Sequence, residues 1–84
     1  MKFYKLKTLE STTIRTVYND DKSVLFGLIG TVEDFLNAGI LDYCDYLPQT
    51  WCFLLPLGNR AFFAKDRDAI TTLIIDWYSL DSAI

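Results

Sequence analysis

Two carboxylate pairs, Glu33-Asp34 and Asp66/Asp68, are the side chains of this sequence best spaced for acid–base chemistry. Paired carboxylates can act as general acid and general base in catalysis. Each pair, however, lies where a helix is predicted to begin, and helix capping and the helix dipole already explain acids at such positions. The sequence therefore predicts no catalytic carboxylate.

The two thiols, Cys44 and Cys52, are the remaining candidates for reactive groups. A thiol becomes a good nucleophile when a neighbouring cation lowers its pKa. Cys44 is instead flanked by Asp42 and Asp45, which act in the opposite direction, so two buried and reduced thiols are predicted. The chain contains no histidine, the usual general base near neutral pH and the commonest metal ligand. We therefore expect no enzymatic activity, no metal and no cofactor.

An acidic segment rich in aromatic residues occupies the middle of the chain. Residues 23–58 contain four acids and neither lysine nor arginine. Tyrosine and tryptophan anchor interfaces because they bury a large area with few rotatable bonds, and surrounding acids attract a basic partner. The predicted partner-binding site consists of Glu33, Asp34, Asp42, Tyr43, Asp45, Tyr46 and Trp51. In the competing interpretation the acids only solvate a helix face and the rings fill the core.

Two further kinds of binding are compatible with the sequence. Basic residues at the start of the chain, with an aromatic ring of a later strand, could bind RNA; they are Lys2, Lys5, Lys7 and Arg15, with Phe62 or Phe63. Lysines on an edge strand also prevent aggregation, which is the structural explanation. Alternatively, the aromatic residues and an unpaired strand edge near Pro56 form a homo-oligomer.

The length of 84 residues predicts one domain, residues 1–84. A hydrophobic content of 51% with 15% aromatic residues predicts a folded chain rather than a disordered one. The sequence shows neither a signal peptide nor an apolar run of the roughly 20 residues that a membrane span needs. A cytoplasmic protein without membrane contact is expected.

Five segments have the residue pattern of β-strands: 2–9, 12–18, 23–30, 50–57 and 60–65. Segment 23–30, "SVLFGLIG", also fits a helix, but Gly27 and Gly30 would each cost a helix interior about 1 kcal/mol, which favours a strand. The first two segments are predicted to pair as a hairpin, and Gly58-Asn59 is predicted to connect the last two. Pro56 places its strand at a sheet edge or ends it.

Helices are predicted for segments 31–39 and 66–80. Thr31 is the expected N-cap of the first, and Gly39 its end. A further turn or helix is expected from residue 41 until Pro48. The second helix begins at Asp66 or Asp68 and has an apolar stripe of Ile70, Leu73, Ile74 and Trp77, although its β-branched residues also favour a strand. The predicted fold class is α+β, an antiparallel sheet of four to five strands with two helices packed on one face.

The segment "FFAKDRDAITTLIIDW", Phe62 to Trp77, resembles the C-terminal region of small bacteriophage accessory proteins. Those proteins often end in a strand, an Asp-rich turn, a "DA" and a helix with a late tryptophan. The resemblance covers about a fifth of the chain, and it departs at "TTLII", where the phage proteins usually have a more basic and polar helix face. It transfers no functional residues.

This resemblance implies a phage-encoded accessory protein that binds and blocks a host protein, as anti-CRISPR and other anti-defence inhibitors do. Together with the acidic segment, it leads to the expectation of a non-enzymatic inhibitor or modulator. Its partner would be the basic surface of a host defence or nucleic-acid-handling protein in the host cytoplasm.

Overall fold

Five β-strands and two α-helices make up the part of the chain that the computed structural model describes, residues 1–9, 11–56 and 60–82. The strands are β1 (Lys2–Lys5), β2 (Arg15–Tyr18), β3 (Leu25–Thr31), β4 (Trp51–Leu54) and β5 (Ala61–Ala64). The helices are α1 (Val32–Asn37) and α2 (Arg67–Ser82). Every strand pairs antiparallel with its neighbour in sequence, giving the order β1-β2-β3-β4-β5. The predicted α+β fold with an antiparallel sheet is confirmed.

The first strand is shorter than the sequence pattern indicates. It ends at Lys5, and Lys7–Leu9 form a 3₁₀ turn in which the Leu9 N–H donates to the Leu6 carbonyl at 3.0 Å. The predicted pairing of the first two strands is confirmed, with Phe3 opposite Val17. Segment 23–30 is the predicted strand rather than a helix, and a bulge interrupts its pairing with β2 beside Tyr18.

Helix α1 begins at the predicted cap. The Asp34 N–H donates to Thr31 Oγ1 at 3.3 Å, and Gly39 ends the helix region with a φ of 75°. The Ile40 N–H reaches back to the Phe35 carbonyl at 3.0 Å, as expected for a helix closed by a left-handed glycine. The helix spans six residues.

The C-terminal segment forms a helix despite its β-branched residues. The Ala69 N–H donates to Asp66 Oδ1 at 2.8 Å, so Asp66 is the cap. Ile70 and Ile74 are fully buried against the sheet. Their burial outweighs the small helix penalty of β-branched side chains.

The two helices lie on opposite faces of the sheet, whereas the sequence pattern placed both on one face. Cys52 and Phe53 are neighbours in β4, so their side chains point to opposite faces. Phe53 packs with Ile70 and Ile74 of α2, and Cys52 packs with Phe35 of α1. Each face therefore has its own hydrophobic cluster.

Strand β4 lies in the interior of the sheet between β3 and β5, and it ends at Leu54, before Pro56. The sheet edges are β1 and β5. The predicted connection at Gly58-Asn59 lies outside the described residues. Residues 38–50 contain bends and turns but neither helix nor strand. The expected turn or helix over 41–47 is therefore not formed, and this part of the chain contains only bends. We call this segment the 38–50 loop.

Candidate protein-binding loop

Backbone hydrogen bonds hold both ends of the 38–50 loop against the body of the protein. At its end, the Val32 N–H donates to the Thr50 carbonyl at 2.8 Å, and the Glu33 N–H to the Pro48 carbonyl at 3.0 Å. At its start, the Leu41 N–H donates to the Phe35 carbonyl at 3.2 Å. The first turn of α1, which would otherwise have unpaired N–H groups, thus fixes the path of the loop.

Two loop side chains also anchor it from within. Leu41 and Cys44 pack against the cluster that contains Phe35 and Cys52. Burial raises the pKa of the Cys52 thiol to about 12, so this cysteine is neutral at physiological pH. Both cysteines are free, with Cys44 half-buried and Cys52 buried. They contribute packing, as the sequence predicts.

The remaining large side chains of the loop point to solvent. Tyr43 is 76% exposed, Leu47 65% and Tyr46 54%, and Ile40 is also exposed. Isolated exposed apolar residues are common, but four large exposed side chains within eight consecutive residues are a concentration typical of protein interaction sites. The sequence pattern indicates the two tyrosines but not Ile40 and Leu47. These two lie in the same acidic segment, and nothing in the sequence distinguishes them from aliphatic core residues.

The tyrosine rings are held in defined positions. The Tyr46 ring stacks on the Phe63 ring of β5 with a centroid distance of 4.1 Å and an interplanar angle of 10°. The Tyr43 hydroxyl donates a hydrogen bond to Asp45, which raises the pKa of the Tyr43 phenol. A partner therefore meets rings whose rotamers are already restricted, which lowers the entropic cost of binding.

Asp42 and Asp45 are exposed beside these rings. Of the other predicted site residues, Glu33 is exposed in the first turn of α1, and its backbone N–H contacts Pro48 of the loop. Glu33 thus lies near the predicted acidic surface. The structure brings together on or beside the loop Glu33, Asp42, Tyr43, Asp45 and Tyr46.

Asp34 and Trp51 are placed elsewhere. The Asp34 carboxylate accepts hydrogen bonds from the Thr13 hydroxyl at 2.6 Å and the Thr13 N–H at 2.8 Å, and these bonds hold the pKa of the Asp34 carboxyl below its usual value. Trp51 is half-buried in the α2 cluster, on the other face of the sheet. Asp34 therefore joins α1 to the start of β2, and Trp51 contributes to packing.

The residues proposed for RNA binding do not form an open stacking surface. Phe62 faces α2, and its ring centroid lies 5.2 Å from that of Trp77. Phe63 faces the opposite side, beneath Tyr46. Lys5 lies opposite Arg15 in the sheet, and the Arg15 guanidinium donates to the Thr12 and Ile14 carbonyls. Both rings would have to lose an existing contact before a base could stack on them.

Neither a cluster of metal-ligating side chains nor a membrane-spanning helix occurs in residues 1–9, 11–56 and 60–82. Within these ranges, His, Cys, Asp and Glu form no group of three or more that could hold a metal ion. No described helix is both long and apolar enough to cross a membrane.

No protein-family model, curated protein or solved structure matches this chain.

Proposed function

We propose that this chain is a non-enzymatic protein-binding module that contacts its partner through the 38–50 loop. The supporting observation is the exposure of Ile40, Tyr43, Tyr46 and Leu47 on one anchored loop. Removing such a patch from water contributes roughly 25 cal/mol per Å² of apolar area. The tyrosines supply the anchors, and the two aliphatic residues extend the apolar area around them.

The chemistry of the loop fits a partner with a basic surface. Asp42 and Asp45 are the charged residues of the loop, and no lysine or arginine occurs between residues 23 and 58. Acids beside an apolar contact speed the encounter with a cationic surface and disfavour acidic competitors. Glu33 adds a third carboxylate next to the end of the loop.

An inhibitory role against a host defence or nucleic-acid-handling protein, in the cytoplasm of a bacterial cell, is the specific form of this proposal. It is supported by the resemblance of the Phe62–Trp77 segment to phage accessory proteins, together with the anionic loop. The resemblance concerns a different part of the chain from the loop, so binding and inhibition are tested separately.

Affinity capture from bacterial lysate, followed by titration of the purified partner, tests the binding proposal. Asp42→Lys should weaken binding at least about tenfold, because it places a cation against a basic surface. Tyr43→Ala should weaken it by a similar or larger factor through loss of an exposed anchor. Asp76→Lys is the matched control, since Asp76 is an exposed aspartate on α2 and the change in net charge is the same.

Comparing the four proteins distinguishes binding through the 38–50 loop from a general effect of net charge. A partner that binds wild type and Asp76→Lys equally, and binds Asp42→Lys and Tyr43→Ala weakly, supports the assignment. Equal affinity for all four proteins would exclude the 38–50 loop as the binding site. Retention of the wild type on single-stranded RNA at low salt would support the nucleic-acid alternative instead.

A further inference from the structure

The outer edge of β5 has hydrogen-bonding groups without partners among the residues that the structure describes. The Leu55 N–H donates to the Arg60 carbonyl at 3.2 Å, so Arg60 belongs to a hydrogen-bonded pair with the chain that continues β4. In an antiparallel ladder such pairs alternate, so Phe62 and Ala64 also direct their backbone groups toward β4. The N–H and C=O groups of Ala61 and Phe63 therefore point away from the sheet.

The two edges of the sheet differ in how well they resist pairing with another strand. β1 contains Lys2 and Lys5, charges of the kind that keep an edge strand from associating. β5 consists of Ala61, Phe62, Phe63 and Ala64 and has no charge within the strand. It is the edge open to a further strand.

An apolar flank of α2 lies on the same side as this open edge. Trp77 marks the flank, because its ring contacts the Phe62 ring and the Arg60 guanidinium lies 5.2 Å from its centroid. Leu73, one turn earlier on the same flank, is 41% exposed. Tyr78 marks the opposite flank, since its ring stacks on Phe26 of β3. The open strand edge and the apolar helix flank are thus adjacent.

We propose that a second copy of this chain occupies this surface, with its β5 antiparallel to the first. Antiparallel pairing places outward-facing residues opposite one another. Phe63 opposite Phe63 of the second copy meets this condition and brings Ala61 opposite Lys65 on each side. A twofold axis then passes beside Phe63, giving the self-complementary interface of most homodimers.

This register is also favourable for the side chains. On the α2 face, Phe62 lies beside Ala64 of the second copy, a large residue against a small one. Arg60 lies beside Asp66 of the second copy, so an opposite-charge pair forms twice. Asp66 Oδ1 caps α2, which leaves its second carboxylate oxygen to accept from Arg60 of the second copy in the proposed dimer. Because the register keeps the α2 faces of both sheets on one side, the two Leu73 side chains approach each other.

This inference goes beyond the proposed function and is independent of it. The 38–50 loop and the α2 flank are on opposite faces of the sheet, and the two surfaces meet only at Phe63, whose ring lies beneath Tyr46. The variants that test the dimer, at Leu73 and Ala61, change no residue of the loop. If no partner binds through the loop, the dimer proposal still stands. If the chain is monomeric, the loop proposal still stands.

Sedimentation equilibrium over a range of concentrations, with two matched variants, tests the dimer. Leu73→Lys should raise the dimer dissociation constant at least about tenfold, because it places two cations near the axis. Ile75→Lys is the control. Ile75 is 49% exposed on the opposite flank of the same helix, so its substitution should leave the dissociation constant within about twofold.

A backbone variant tests the strand pairing itself. Ala61→Pro removes an outward N–H that the β4 ladder does not use, so the monomer should keep its fold while the dimer is lost. Ala61→Ser retains the N–H and should still dimerise. A wild type that stays monomeric at millimolar concentration overturns the proposal. So does a dimer that Leu73→Lys and Ile75→Lys weaken equally, or one that Ala61→Pro leaves intact.

Discussion

The two faces of the sheet are covered by different means. On the α2 face, Val17, Ile29 and Phe53 from three strands close against Ile70 and Ile74 of a 16-residue helix. On the other face, a six-residue helix and the 38–50 loop cover the cluster around Phe35. Regular structure builds the first face, and irregular chain builds much of the second.

This difference indicates that one face of this small domain mainly contributes stability and the other carries the candidate binding residues. A chain of this size buries only about 60% of the surface of its unfolded form and has little stability to spare. One long helix covers the first cluster, whereas the second is covered in part by a loop that also carries exposed tyrosines. The loop is held by a few anchors, so substitutions at its tip should change binding more than folding.

The largest effect should come from Phe53→Ala. Phe53 is fully buried between β3, β5 and α2. Truncating such a phenylalanine costs about 3–5 kcal/mol, through lost burial and the cavity left behind. The total free energy of unfolding of a typical domain is about 5–15 kcal/mol, so urea denaturation should show a variant close to its stability limit.

Tyr46→Ala provides the comparison on the other face. Its ring stacks on Phe63 but is half exposed, so its removal should cost about 1 kcal/mol, the value of one aromatic pair. Urea denaturation of Phe53→Ala and Tyr46→Ala compares the two faces. An equal decrease in the free energy of unfolding would mean that both faces contribute equally to stability.

Two glycines give a second contrast of this kind. Gly27 has a φ of 155°, and a Cβ there would lie 2.1 Å from the Leu54 carbonyl oxygen and 2.8 Å from Phe53 Cε1. Gly27→Ala should therefore cost about 2–3 kcal/mol through strain and overpacking. Gly39 has a φ of 75°, but a Cβ there meets open space, so Gly39→Ala should cost about 1 kcal/mol.

Thermal and urea unfolding of both glycine variants checks this order. Gly27→Ala should be the less stable protein in both experiments. A larger loss for Gly39→Ala would mean that the turn after α1, rather than the packing of β3 on β4, limits stability.

An effect that depends on pH should come from Asp34→Asn. Removing the charged acceptor of the two Thr13 hydrogen bonds should cost about 1–2 kcal/mol at pH 7. The folded protein lowers the pKa of Asp34, so its stabilisation is present above the unfolded value of about 3.9 and is lost as pH falls through the folded value. The gap between wild type and variant should shrink below pH 4.

Urea denaturation between pH 7 and about pH 2 measures that gap. Glu33→Gln is the control, because Glu33 is exposed on the same turn of α1, and it should change the unfolding free energy by about 0.5 kcal/mol. A gap for Asp34→Asn that stays constant down to pH 2 would contradict the role assigned to Thr13.

The sequence predicts the start and end of a helix or strand well where one residue type determines the local backbone conformation. Thr31 as a cap and Gly39 as a helix end are such positions, and both are confirmed. The cap of α2 was predicted as Asp66 or Asp68, and the structure shows Asp66. The two glycines of segment 23–30 also indicated a strand correctly. These residues act through their own conformational preferences or through hydrogen bonds within three residues.

The arrangement of the layers could not be predicted in the same way. Whether α1 and α2 share a face depends on which side of β4 each helix meets, and consecutive apolar residues such as Cys52 and Phe53 do not reveal it. The hydrogen bond from Thr13 to Asp34 joins residues 21 apart in sequence, so no local pattern indicates it. Trp51 was assigned to the binding site by composition, but its position in β4 directs it toward α2.

The strand order of the sheet has a consequence for how this protein can vary. Because each strand pairs with the next one in the chain, no connection has to cross the sheet. The segment between β3 and β4 joins two adjacent strands, so lengthening it alters neither topology nor register. Doubling the length of a flexible loop costs only about 0.6 kcal/mol in closure entropy. The exposed positions of the 38–50 loop can therefore diverge in sequence, and the loop can lengthen between its anchors, while the sheet that holds it stays the same.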